Sequence, residues 1–164
     1  MRTLFRFPDP VNDVSARLVA AGVVLMCLAI LAGATWLIAV LAYGFLARVA
    51  TGPTLSPLGQ LVTRVITPRL NVAPRPVPGP PKRFAQGIGA TLSTSAAVLH
   101  FVLGLTTPAL VAVGLILAAA TLESVLGFCL GCWLFARLMD AGLIPARVCA
   151  ACADISRHPS SAAV

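Results

Sequence analysis

Five cysteines stand in the chain, and four of them form two C-x-x-C pairs. Cys129 and Cys132 lie in Gly127-Phe128-Cys129-Leu130-Gly131-Cys132-Trp133, at the end of a long uncharged run. Cys149 and Cys152 follow in the polar tail. Two thiols at this spacing are about one helical turn apart. Their sulfurs face nearly the same way and can close a disulfide. A C-x-x-C setting lowers the pKa of one thiol, and a nearby cation such as Arg137 favours the thiolate further. Such a pair can exchange electrons with a soluble thioredoxin-like protein or hold a persulfide. Gly127 and Gly131 leave room for a partner's backbone or a small sulfur species. Burial in lipid acts the other way, by disfavouring the charged sulfur.

The same four residues permit a second chemistry. Cys129, Cys132, Cys149 and Cys152 are spaced C-x2-C-x16-C-x2-C, within the window for a structural Zn²⁺ site. Four thiolates would close a tetrahedral shell and staple the tail to the last helix, without catalysis. The apolar neighbours Phe128, Leu130 and Trp133 are unusual for a zinc knuckle. A third reading makes the pairs inert, because Cys packs as a small apolar residue at close helix contacts. Cys27, alone in an apolar run, belongs to that class. A stable disulfide is not expected on a reducing cytoplasmic side.

Glu123 is the other residue that invites a role. A carboxylate inside a membrane helix costs about 2.5–3.5 kcal/mol on insertion scales, so it must be protonated, paired or turned inward. It reads as a proton or cation site, as a group tuning the thiols, or as a neutral acid hydrogen-bonded to another helix. Taken as one continuous helix, the sequence puts Glu123 on a different face from Cys129 and Cys132, which favours the last. His100 reads as hydrogen-bonded to a neighbouring helix. Ser93, Thr94 and Ser95 with Gly87 and Gly89 read as a small-residue packing face. No nucleotide loop, paired carboxylates or Ser-His-Asp arrangement occurs.

The elements that must position these groups are set by hydropathy. The mean hydropathy is +0.95, and 59% of residues are hydrophobic against 10% charged, far from a soluble domain. Residues 1–17 form a polar N-terminal segment. The uncharged run 18–47 exceeds the roughly 20 residues that one crossing needs, and Gly33-Ala34-Thr35 breaks it, giving a hairpin over 18–50. The run continuing past Ala32-Gly33-Ala34, with Asp9 and Asp13 ahead of it, argues against a cleaved signal peptide. Residues 51–83 form a loop. Within it Ser56-Pro57 starts an amphipathic surface helix bearing Leu58, Leu61, Val62, Val65 and Ile66, ended by Pro68. Pro74, Pro76, Pro78, Pro80 and Pro81 then enforce an extended spacer. A second hairpin over 84–136 turns at Thr106-Thr107-Pro108 and ends in the first C-x-x-C; a tail, 137–164, carries the second. Each half has an arginine entering its hairpin, Arg17 and Arg83, and a Leu-Gly step beyond it, Leu58-Gly59 and Leu130-Gly131, as a duplicated hairpin would.

The formal net charge is +7, but the basic residues are scattered among loops without a nucleic-acid reading surface. They lie in the lead-in, at the foot of the second helix, in the central loop and in the tail; neither hairpin turn carries one. The positive-inside rule then puts both termini and both C-x-x-C pairs in the cytoplasm.

Phe128-Cys129-Leu130-Gly131-Cys132 resembles the signature of the bacterial membrane family called domain of unknown function 4395. Ser56-Pro57-Leu58-Gly59, Pro68-Arg69-Leu70 and Pro81-Lys82-Arg83-Phe84-Ala85-Gln86 are similar to its pattern, and the likeness spans about residues 9–138. The resemblance implies a four-helix membrane fold and a link to thioredoxin-like or sulfur-transfer partners, without an established activity. Glu123 departs from the pattern, where a neutral polar residue is usual. Cys149 and Cys152 lie beyond the family's core, so no role for them follows from it.

The sequence therefore predicts an all-α, multi-pass protein of the bacterial inner membrane. It has four transmembrane helices as two hairpins, plus an amphipathic interfacial helix. The expected function is a thiol-redox or sulfur-handling accessory using Cys129 and Cys132, partnered by lipid and a thioredoxin-like or sulfurtransferase protein. The alternative is a non-enzymatic subunit of a homo-oligomer or larger membrane complex, with a four-cysteine zinc site or inert cysteines. A small solute carrier is a third class, resting on Glu123 and the repeat.

Overall fold

The first helix begins where Asn12 accepts a hydrogen bond from the Val14 amide, capping α1, Asp13–Leu31. The computed structural model describes residues 9–70, 72–145 and 148–149. The lead-in is not only polar coil. Val11–Asn12 (β1) pairs antiparallel with Pro76–Val77 (β2) in a two-stranded ribbon. A short turn leads from α1 to α2, Leu37–Thr51. Ser56 caps α3, Pro57–Leu61, through the Gly59 amide, with Pro57 in the first turn as expected.

Beyond α3 the chain forms a π turn, Val62–Ile66, and a last helical turn α4, Thr67–Arg69. The surface helix thus runs past Pro68 instead of ending there. A proline ring clashes with the carbonyl four residues back, and the wider π turn upstream relieves that clash. Val62 is buried and Leu58 packs on α1 at Gly22, but Leu61 is half exposed. The segment therefore docks edge-on through Leu58 and Val62.

Helix α5, Gly79–Ala97, starts inside what reads as a Pro-rich spacer. Pro80 and Pro81 occupy its first turn, where a missing amide costs nothing because no partner exists there. A π turn, Val98–Val102, prolongs α5. Helix α6 is Thr106–Leu126 and α7 is Leu130–Asp140.

Helix α1 packs along α6 and α2 along α5; α5 also touches α6, and α7 lies against α5. The core runs through Cys27, Ile30, Ile38, Leu41, Val113 and Ile116. Gly89, Ala90, Ser93 and Ala96 form the small inner face of α5, whereas Ser95 points outward. His100 pairs with Thr106 at the start of α6, 3.2 Å away. Helices α1 and α6 are long and apolar enough to cross a membrane. Leu25, Leu28, Val40, Leu46, Val111 and Leu115 are exposed on the outside of the bundle.

The two halves meet in a reciprocal way. Arg17 on α1 donates to the Ser124 and Val125 carbonyls at the end of α6. Arg83 on α5 donates to the Val49 carbonyl at the end of α2. Each arginine caps the carbonyls of a helix from the other hairpin. Arg48 and Glu123 directly precede the capped positions, so the two halves carry opposite charges at related places.

Candidate dithiol site

Gly127 ends α6. Its φ of 68° is left-handed, and its amide bonds back to the Glu123 carbonyl. A residue with a Cβ resists that conformation, so glycine here lets the chain turn sharply. Cys129 then becomes the extended N-cap of α7, and Cys132 falls in the first turn of that helix. The pair does not sit at the end of the fourth helix, as the uncharged run suggests, but at the start of a separate one. Gly131 fixes α7 against α5, since a Cβ there would lie 2.5 Å from that of Ala85. Phe135 stacks edge-on against Phe84, 5.6 Å between centroids.

Lys82 lies beside the dithiol. It is the only lysine in the chain and Glu123 the only glutamate. Its Nζ is 2.8 Å from Glu123 Oε1 and 2.9 Å from Asp13 Oδ1. The ribbon makes this meeting possible: Asp13 donates its amide to the Arg75 carbonyl, and Asp9 accepts from the Gly79 amide, so the starts of α1 and α5 are tied together. Lys82 and Asp13 read as loop and lead-in in the sequence; both are first-turn residues turned inward. Glu123 does bond across helices, but to an ammonium. Two carboxylates thus flank one largely buried ammonium.

The thiols are polarised in opposite directions. The Cys132 thiol hydrogen-bonds to the Cys129 sulfur and, with help from Lys82, holds it below the ordinary thiol range, against burial and Glu123. Cys132 is pushed up by that same bond and by burial. Of the two sulfurs, Cys129 is the one whose charged form the surroundings favour. The cation acting on the pair is Lys82. Arg137 instead lies over the Trp133 ring, 5.3 Å from its centroid. Nor does helical phase separate Glu123 from the thiols, because the break at Gly127 resets it; Glu123 and Cys129 line the same cavity.

That cavity, about 200 Å³, lies among α1, α2, α5, α6 and α7. Arg48, Gln86, Glu123 and Cys129 form its polar base, and Val23, Phe45 and Ile116 belong to its apolar wall. A wider outer groove, about 610 Å³, is lined by Asp13, Lys82, Cys129, Cys132 and Trp133. Cys129 borders both spaces and Cys132 the groove alone. Arg48 is only 6% exposed. It donates to Gln86 Oε1 at 3.0 Å and to Ser56 Oγ at 3.3 Å and stacks on Phe45 at 4.5 Å. An arginine at the foot of a helix reads as a topology marker; only its placement within the last apolar turn hints otherwise.

Cys27, Cys129 and Cys132 are free thiols, and Cys27 is buried in the core as expected. Cys149 is disulfide-bonded. Cys152 lies outside the described residues. Among the described residues no three His, Cys, Asp or Glu side chains converge on a metal position.

A family model described as Domain of unknown function (DUF4395) matches residues 11–140. The match takes in both hairpins, the ribbon, the lysine cluster and the first C-x-x-C, and stops before Cys149. No curated protein and no solved structure matches the chain.

Proposed function

This chain belongs to the DUF4395 family, and we propose that it is a membrane-embedded dithiol protein that handles electrons or sulfur through Cys129 and Cys132. The observation that carries the reading is where the pair stands, at the start of α7 on the groove that Lys82 also lines. Cys129 stands at the N-cap position of α7, interacts with the Cys132 side chain and lies within electrostatic reach of Lys82. A helix N-terminus and a cation both favour the thiolate. In thiol–disulfide exchange the lower-pKa thiol attacks and its neighbour resolves the mixed disulfide.

Membrane residence is supported by the long apolar α1 and α6 and by the leucines and valines exposed around the bundle. In this reading α2, and α5 with its π turn, also cross, giving four spans. The charged ends of the helices then share the cytoplasmic face of a bacterial inner membrane. The outer groove, which Phe128 and Trp133 also line, suits a thioredoxin-like or sulfurtransferase partner that reaches Cys129.

The test is thiol exchange in native membranes. Reduced protein incubated with an oxidised thioredoxin-like protein should form a Cys129–Cys132 disulfide, and Cys132→Ser should trap a mixed disulfide at Cys129. If Cys129→Ser and wild type give the same exchange, the dithiol reading fails.

A further inference from the structure

The inner cavity is too small for a protein partner but suits a compact amphiphile. Its walls are apolar and its base is Arg48, Gln86, Glu123 and Cys129. Glu123 is already engaged by the Lys82 ammonium. Arg48 is a buried guanidinium whose direct hydrogen-bond partners, Gln86 and Ser56, are neutral. A guanidinium carries five N–H donors in a fixed fork, so it retains donors for an oxygen in the cavity. The sulfur held toward the thiolate lines the same space. A cavity of roughly 150 Å³ accommodates a benzene ring.

A ligand for this site must be flat and apolar, carry acceptor oxygens, and be electrophilic toward a thiolate. We propose that the cavity binds the head group of a membrane quinone and that the Cys129–Cys132 dithiol reduces it. This rests on the dithiol reading and names its electron acceptor. Arg48 would donate to one carbonyl oxygen and stabilise the negative charge that develops there. The Cys129 thiolate adds to a ring carbon, forming an S–C bond while the ring's electron pair moves to the carbonyl oxygen, which is protonated. Cys132 sulfur then attacks Cys129 Sγ. The S–S bond forms, the S–C bond breaks, and its electron pair returns to the ring, whose second oxygen takes a proton. The sum is dithiol plus quinone to disulfide plus hydroquinone, with two electrons and two protons transferred. Cys129, bordering both spaces, would connect the lipid-side acceptor to a dithiol partner in the outer groove. A prenyl tail would leave between α1 and α2, which pack less closely on each other than α1 does on α6 or α2 on α5.

The experiment uses the reduced full-length protein in detergent, with decyl-ubiquinone as probe and diamide as a control oxidant. Decyl-ubiquinone should be reduced with loss of two thiols per hydroquinone formed, and the disulfide should map to Cys129–Cys132. Arg48→Met should slow the quinone reaction at least tenfold relative to its own diamide reaction. Ala119→Leu, which fills the cavity, should do the same without touching the guanidinium. A disulfide formed with diamide but not with decyl-ubiquinone in wild type overturns the quinone proposal and leaves the dithiol reading standing. Failure with both oxidants overturns the dithiol reading itself. Quinone oxidation that proceeds equally in wild type and both variants overturns the cavity as its site.

Discussion

Lys82 Nζ lies 2.8 Å from Glu123 Oε1, which joins the chain's only lysine to its only glutamate. The two side chains are 7% and 16% exposed, so neither charge is well solvated. Removing one partner leaves the other stranded, which typically costs about 3–5 kcal/mol when a buried pair is broken. Lys82→Met should therefore lower the thermal unfolding midpoint in detergent markedly. Glu123→Gln alone should cost less, because Asp13 still engages the ammonium at 2.9 Å. The double variant should recover part of the Lys82→Met loss, and additive losses in a double-mutant cycle would show that the pair is not coupled.

Alkylation kinetics should follow the polarisation of the thiols. Cys129 is held below the ordinary thiol range, so its thiolate persists at pH values where a free cysteine, with a pKa of about 8.5, is protonated. Iodoacetamide should label Cys129 well below that value, and the rate should fall only as pH drops through the lowered pKa. Cys132, shifted the other way, should label slowly throughout. Lys82→Met removes a positive charge and should move the Cys129 profile to higher pH. Glu123→Gln removes a negative one and should move it lower. The profile is read by mass spectrometry of the two sites, and equal rates for both would contradict the asymmetry.

Contact between α7 and α5 should be intolerant of bulk. A Cβ on residue 131 would meet Ala85 Cβ at 2.5 Å and Ala85 Cα at 2.6 Å. Backbone cannot yield as a side-chain tip can, so Gly131→Ala should cost about 1–3 kcal/mol and displace the dithiol from Lys82. Both effects are measurable: a lower unfolding midpoint, and a Cys129 alkylation profile shifted toward that of a free thiol.

The turn at Gly127 should be just as specific. Its left-handed φ of 68° costs a Cβ-bearing residue roughly 1–2 kcal/mol. Gly127→Ala should destabilise by about that amount, and Gly127→Asn by less, since asparagine tolerates this region better. Thermal unfolding of the two variants side by side checks the order. If alanine and asparagine behave alike, conformation is not what that glycine supplies.

Hydropathy made the helices legible. The uncharged runs mark out four long helices, and Ser56-Pro57 marks the start of α3 as read. The arginines that enter each hairpin, Arg17 and Arg83, do occupy corresponding places, each capping a helix of the other half. What periodicity could not show is where a helix stops within an apolar run. Nothing in the hydropathy of residues 122–134 distinguishes one long helix from two joined at Gly127. That single break puts Glu123 and Cys129 on one cavity wall, although phase along a continuous helix separates them.

The sequence alone determined which residues could do chemistry and that apolar helices would carry them, because residue type and hydrophobic period are local properties. Tertiary structure decided which groups meet. A two-stranded ribbon from residues 11–12 and 76–77 ties the starts of α1 and α5 together. Through it Asp13, Lys82 and Glu123, far apart along the chain, come together, the two carboxylates flanking one ammonium. Helix packing likewise brings Arg48 of one hairpin to the cavity that Cys129 borders. Charges on separate elements interact through distance in space, and only the packed bundle sets that distance.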